Sequence, residues 1–135
     1  MASYLSLVAL TLLSGVATIY ADPYIGQPLY CDRGQGWIYD ANAEPWIALD
    51  VSEFTSGRAQ CDDTFLIIFA NGETLIAQAR DAGYLYPYYV EQWQQPIVFD
   101  IPAHLAPFPG LSMPATGINL SAMARQQETT WTPTK

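Results

Sequence analysis

The sequence predicts an all-β or β-dominated fold, and three observations carry that expectation. Ten prolines and nine glycines are scattered along 135 residues, which favours many turns over long helices. Nine tyrosines, five phenylalanines and four tryptophans supply flat side chains that pack well on pleated surfaces. Asn71-Gly72 stands between two β-type runs, Thr64–Phe69 and Thr74–Ala79. An Asn-Gly pair in that setting is a strong hairpin sign, because both positions tolerate positive φ.

The length fits one domain, and with half the residues apolar and 13% charged a sizeable core can be filled. Residues 1–14 read as a signal peptide or hydrophobic leader. No charge falls between Tyr4 and Tyr20, and Leu5–Leu13 is a compact apolar run, shorter than the ~20 residues that span a bilayer. A basic segment ahead of it is missing, small-residue cleavage positions follow Ser14, Ala17 or Ala21, and the competing reading is a buried first strand or short helix. The domain proper is expected over 15–122. It opens with a strand at Gly15–Tyr20, broken by Asp22-Pro23 and Gly26-Gln27-Pro28. Tyr24–Pro45 reads as a long connection pinned by Cys31, and Trp46–Leu49 as a short apolar strand. Asp50–Phe54 then offers cap residues ahead of a helical turn that Gly57 would end.

Beyond the hairpin, Gly83–Pro96 is an aromatic loop holding Tyr84, Tyr86, Tyr88, Tyr89 and Trp93. Ile97–Ile101 returns to strand, Pro102 opens a short helix through Phe108, and a last strand covers Met113–Leu120. Residues 123–135 read as a polar, flexible tail.

A net charge of −8 argues against nucleic acid and anionic membranes as partners, since both attract Lys and Arg. Neutral glycans, cationic polymers and proteins remain, and an acidic balance is also an ordinary solubility device. Cys31 and Cys61 stand without a CxxC or a Cys/His cluster, so neither a metal site nor a cofactor is expected. In an exported chain the natural reading is one disulfide, with two unrelated buried thiols as the alternative.

Two carboxylates stand out. Asp81 closes a strand just before Ala82-Gly83, where sites are commonly built, although a turn carboxylate accepting backbone N–H bonds has equal claim. Asp100 lies inside an apolar strand, where a lone charge is costly, and a capping role competes for it. Brought together, such a pair would push its pKa values apart and leave one protonated acid near neutrality, as protonation of a glycosidic oxygen needs. Tyrosine and tryptophan faces in the loop suit sugar stacking or a protein contact, and part of the set is expected to plug the barrel end. Asn119-Leu120-Ser121 forms a glycosylation sequon, and His104 reads as a surface residue.

The ordered series Gly15-x-Ala17-Thr18-x-Tyr20, Cys31, Trp46-Ile47-Ala48-Leu49, Ser56-Gly57, Cys61, the Asn-Gly hairpin, Asp81-Ala82-Gly83 and Phe99-Asp100-Ile101-Pro102 resembles the double-psi β-barrel superfamily. That superfamily includes expansins, barwin-like proteins, rare lipoprotein A and family 45 glycoside hydrolases. The likeness runs from about Gly15 to Leu120 and implies a six-stranded barrel with one or two short helices and a polysaccharide groove across one face. It implies that Asp81 is the essential polar group or acid, that Thr18 and Tyr20 line the groove, and that Asp100 is the aspartate after the fifth strand. Tyr84 would fill a nearby aromatic place, with Tyr86 and Trp93 adding substrate contact. The lytic members' histidine beside the Ala-Leu strand is absent here, as are the expansin His-Phe-Asp motif and a second carbohydrate-binding domain. Family 45 hydrolysis needs a second aspartate near the first strand, and only Asp22 stands there.

The resulting expectation is a secreted, cell-wall-associated, expansin-like domain. It would bind peptidoglycan, cellulose or chitin-class polysaccharide without cleaving it. One alternative is a glycan-cleaving enzyme with Asp81 as acid and Asp100 or Asp22 as partner. The other is a protein-interaction, inhibitor or self-assembling module using the aromatic loop.

Overall fold

The computed structural model describes residues 12–20, 26–39 and 44–130. Most of the expected leader, Asp22 and residues 131–135 lie outside the described residues. The elements run β1 (Leu12–Tyr20), β2 (Trp46–Asp50), α1 (Val51–Thr55), β3 (Thr64–Phe69), β4 (Thr74–Gly83), β5 (Tyr89–Val90), β6 (Gln95–Pro102), a 3-10 turn at Ala103–Leu105, β7 (Ser112–Asn119) and α2 (Leu120–Thr130). The strands are ordered β1-β7-β3-β4-β2-β6-β5, and β1 also pairs with β6. Six of the described strands therefore close into a barrel, with β5 a short flap on β6. Two of its pairings, β1–β6 and β2–β4, are parallel. The others are antiparallel. The six-stranded barrel is the one that the resemblance implies, and its sheet is mixed.

Strand periodicity explains which side chains fill it. Along β3, Phe65, Ile67 and Phe69 are buried while Thr64, Leu66 and Ile68 are more exposed. Ala77 and Ala79 of β4, Ile47 and Leu49 of β2, Phe99 and Ile101 of β6 and Ala17 of β1 complete the core. Phe65 and Phe99 meet edge to face, with ring centroids 6.0 Å apart. The β3–β4 hairpin turns where expected. Gly72 takes φ +87°, and the Asn71 side chain accepts the Glu73 N–H at 3.1 Å.

Gly117 of β7 is where β-strand and ring approach most closely. A Cβ built there would lie 2.3 Å from Cζ of Phe99, which is fully buried. Gly117→Ala is therefore expected to cost about 1–3 kcal/mol through overpacking. Thermal unfolding checks this, and an unchanged midpoint would mean that the Phe99 ring has room to shift.

Several boundaries differ from the sequence reading. β1 begins at Leu12, so Leu12, Leu13 and Ser14, assigned above to the leader, pair with Ile118, Gly117 and Thr116 of β7. The helix foreseen over Pro102–Phe108 is a single 3-10 turn. The residues from 123 read as a flexible tail are helical to Thr130. A cap at its start and a long-range ion pair hold that helix, which polar composition conceals. Asn119 accepts the Ala122 N–H at 2.9 Å, and Arg125 donates twice to buried Asp63, at 2.7 and 2.8 Å. Asn119 itself is 4% exposed and donates to Asp63 at 3.0 Å, so its amide is not presented as a glycosylation acceptor. Cys31 and Cys61 form a disulfide, with sulfurs 2.04 Å apart. Among the described residues no helix is long and apolar enough to cross a membrane.

Candidate functional site

The site is built around one small residue. Ala48 of β2 pairs with Asp81 of β4 on one side and with Asp100 of β6 on the other. Asp100 pairs in turn with Thr18 of β1, and Thr18 with Ser112 of β7. Directly opposed residues point to the same face of a sheet. The five therefore form a row, Asp81–Ala48–Asp100–Thr18–Ser112, on the outer face, while their chain neighbours Ala17, Ile47, Leu49, Phe99 and Ile101 point into the core. Asp81 enters the row through a bulge. The β2–β4 register slips between Ile47 and Ala48, so that Ile47 pairs with Ala79 and Ala48 with Asp81, passing over Arg80.

A cleft of about 510 Å³ opens over the Asp81–Asp100 part of this row. Its far wall is the segment 26–39, which contributes Pro28, Leu29 and Tyr39. That wall is tied down along its length. Leu29 N donates to the Trp37 carbonyl and Tyr39 N to the Gln27 carbonyl, both at 2.9 Å. Leu29 and Tyr39 pack on Trp46 in a small second core. The Cys31–Cys61 bond anchors the tip, where Cys31 N donates to the Arg80 carbonyl at 2.9 Å. Tyr30 N then donates to Asp81 Oδ1 at 2.8 Å, which joins wall to floor.

Asp100 is the electrostatically unusual member. Its pKa is pushed up from an ordinary 3.8 to about 6. Burial is the main cause and the nearby Asp81 charge adds to it, while the Thr18 hydroxyl and the Ile101 N–H pull the other way. The Thr18 hydroxyl donates to Asp100 Oδ1 at 3.0 Å. The cleft thus holds a carboxyl able to carry a proton near neutral pH beside an oxygen acceptor on Asp81. Such a pair can give and take hydrogen bonds with sugar hydroxyls.

The other anticipated residues are spread around this floor. Tyr84, 76% exposed, follows the cleft residue Gly83 directly. Tyr88 and Tyr89 are also exposed. Tyr86 lies outside the lining of the cleft. Its ring packs against the core and its phenol donates to Glu53, and burial, with Glu53 adding, pushes its pKa well up. Trp93 is half-buried, and its indole N–H donates to Ser112 Oγ at 3.0 Å. It therefore stands at the opposite end of the row from Asp81. Tyr20 is in register with Pro102, and its side chain lies outside the described residues. His104 is exposed on the 3-10 turn. No cluster of potential metal ligands occurs among the described residues.

Asp50 is a residue whose reach the sequence does not disclose. Beyond capping α1 through Ser52 N at 3.0 Å, its carboxylate accepts Leu85 N at 2.8 Å and Tyr86 N at 3.0 Å. Burial raises its pKa, but the Ser52 hydroxyl and these backbone donors outweigh that and leave it lowered. Asp50 so sets the course of the aromatic loop as it leaves the cleft. Its partners lie 35 and 36 residues away, and no local motif signals them.

No family model matches the chain, and no curated protein matches it. Twelve solved chains match in structure. Among them is an apo expansin from Clavibacter michiganensis, with a TM-score of 0.52 and 19% identity, over 81% of this chain and 50% of that one. The chain thus spans half the length of that expansin. What the two share at this identity is the fold, an expansin-like double-psi β-barrel.

Proposed function

We propose that this barrel is a secreted domain that binds a cell-wall or matrix polysaccharide in the Asp81–Asp100 cleft without cleaving it. The observation that supports this most is that Asp81 and Asp100 line one open cleft, with the Thr18 hydroxyl donating to Asp100. These residues come from three strands of a fold that serves polysaccharide contact in expansins. Exposed Tyr84 at one end and Trp93 at the other would add ring surfaces for sugar stacking. A disulfide is in keeping with an oxidising, extracellular setting.

A cleaving reading has one observation in its favour, the carboxyl of Asp100 held near pH 6. That chemistry would make Asp100 the acid and Asp81 its partner, the reverse of the assignment the resemblance implies. Against it, the histidine that lytic members of the superfamily carry beside the Ala-Leu strand has no counterpart in Trp46–Asp50.

Pull-down on insoluble cellulose, chitin and peptidoglycan, with soluble sugar assayed in the same tubes, tests these readings. Retention on at least one polymer with no sugar release is expected, reduced about fivefold or more in Asp81→Asn. Release that disappears in Asp81→Asn or Asp100→Asn would establish an enzyme instead. Absence of both binding and release would move attention to Tyr84, Tyr88 and Tyr89 as a protein-contact surface.

A further inference from the structure

A second pocket, of about 480 Å³, is lined in part by the same 26–39 segment. Tyr30, Arg33, Gln35, Trp37, Phe54 and Gln60 supply its functional surface. Its charge is the opposite of the cleft's. The cleft lining holds two carboxylates and no base, whereas this lining holds one arginine and no acid. That contrast is notable in a chain carrying thirteen Asp and Glu against five Lys and Arg. Arg58, Arg80 and Arg125 are each neutralised by ion pairs with Glu53, with Asp62 and Glu44, and with Asp63. Arg33 makes no ion pair among the described residues and is exposed in the pocket.

The aromatic side chains are held in place. Tyr30 is 49% exposed, and its ring lies 5.3 Å from that of Phe54, tilted by 30°. Trp37 is half-buried, with the Arg80 guanidinium 4.3 Å above its ring. Asp32 Oδ1 accepts Gln35 N at 2.8 Å and Gly36 N at 3.0 Å, which fixes the turn that carries Arg33 and Gln35. The pocket also adjoins the cleft. Leu29 lines the cleft and Tyr30 the pocket, while the Tyr30 N–H donates to Asp81.

We propose that this pocket is a subsite for a carboxyl-bearing sugar, such as a uronic acid, within the same glycan that occupies the cleft. The inference rests on the reading of the cleft as a glycan groove. The Tyr30 ring gives a stacking face for the pyranose, and the amides of Gln35 and Gln60 meet its hydroxyls. The Arg33 guanidinium takes the carboxylate as a forked, charge-assisted pair.

Isothermal titration with two soluble probes, cellohexaose and a cellohexaose oxidised to carry a single terminal uronic acid, tests the pocket separately from the cleft. Wild type is expected to bind the uronate more tightly than the neutral chain. Arg33→Gln should weaken the uronate about tenfold and flatten its salt dependence, with cellohexaose affinity and unfolding midpoint unchanged. Arg33→Lys should recover part of the loss. Equal affinity for both probes in wild type, or an Arg33→Gln loss of the same size for both, overturns the proposal and leaves the cleft reading standing. A uronate affinity sensitive to Arg33 but indifferent to Asp81→Asn would overturn the cleft reading and, with it, the claim that pocket and cleft share one glycan. Failure of both probes to bind would remove both.

Discussion

Replacing Cys31 and Cys61 together by serine is expected to lower the stability of the barrel by about 3–4 kcal/mol, the chain-entropy cost of reopening a loop of this length. The bond joins residues 30 apart, and what it encloses is most of the cleft's far wall together with β2 and α1. Without it, segment 26–39 keeps the small cluster of Leu29, Trp37, Tyr39 and Trp46, the Tyr30–Phe54 and Trp37–Arg80 contacts and a few backbone bonds. The Tyr30 N–H that Asp81 accepts should then be intermittently withdrawn. Urea unfolding of the native and double-serine proteins measures the first effect, and retention on polysaccharide the second. A stability difference below about 1 kcal/mol would show that packing alone holds the wall.

The second large effect belongs to Asp100 and has a definite pH sign. Its carboxyl titrates near 3.8 when free and near 6 in the folded chain. Between those values the folded protein binds the extra proton, so stability falls as pH rises from about 4 to 6 and stays lowered above. About two pK units at 1.36 kcal/mol each set the size at roughly 3 kcal/mol. Asp100→Asn keeps an oxygen for the Thr18 hydroxyl and removes the charge. It should stabilise the protein by up to that amount at pH 7 and by almost nothing at pH 3.5. Asp50 and Asp63 act in the opposite sense. Their lowered pKa values contribute stability that is present above about pH 4 and lost in acid. The wild-type curve therefore mixes both signs, and the difference between wild type and Asp100→Asn isolates the one in question. A variant no more stable than wild type at pH 7 would mean that Asp100 is comfortably ionised in the cleft.

What the sequence discloses and what it hides divide by distance along the chain. The β3–β4 hairpin, the β2 and β6 strands and the turn after α1 were readable because Asn71-Gly72, the short apolar runs and Asp50 act on residues a few positions away. The cysteine pairing was readable from composition and from the absence of any metal-binding pattern. The row of site residues was not. Asp81 and Asp100 were singled out one at a time, but their alignment depends on Ala48 and on a bulge that skips Arg80, and neither leaves a local trace. The aromatic loop misled in part. Tyr86 looks like its neighbours in sequence, yet Glu53, 33 residues earlier, claims its phenol. The helix after β7 was hidden because Arg125 reads as surface charge until Asp63, 62 residues away, is seen to receive it.

The closure of the barrel by β1 against β6 and β7 also bears on the order in which the molecule is made. Thr18 and Asp100 are 82 positions apart, and Ser14 and Thr116 are 102 apart, so these pairings carry the largest loop-closure cost in the fold. The β3–β4 hairpin can form early and locally, whereas the seam between first and last strands must wait for the whole chain, as expected of topologies dominated by distant contacts. The cleft touches the β1–β6 part of this closure, through Ile19 and Asp100. A chain made only as far as the β3–β4 hairpin therefore has a disulfide loop and one carboxylate of the cleft but not the other, and the capacity to engage a ligand waits until β6 has been made and closed on β1.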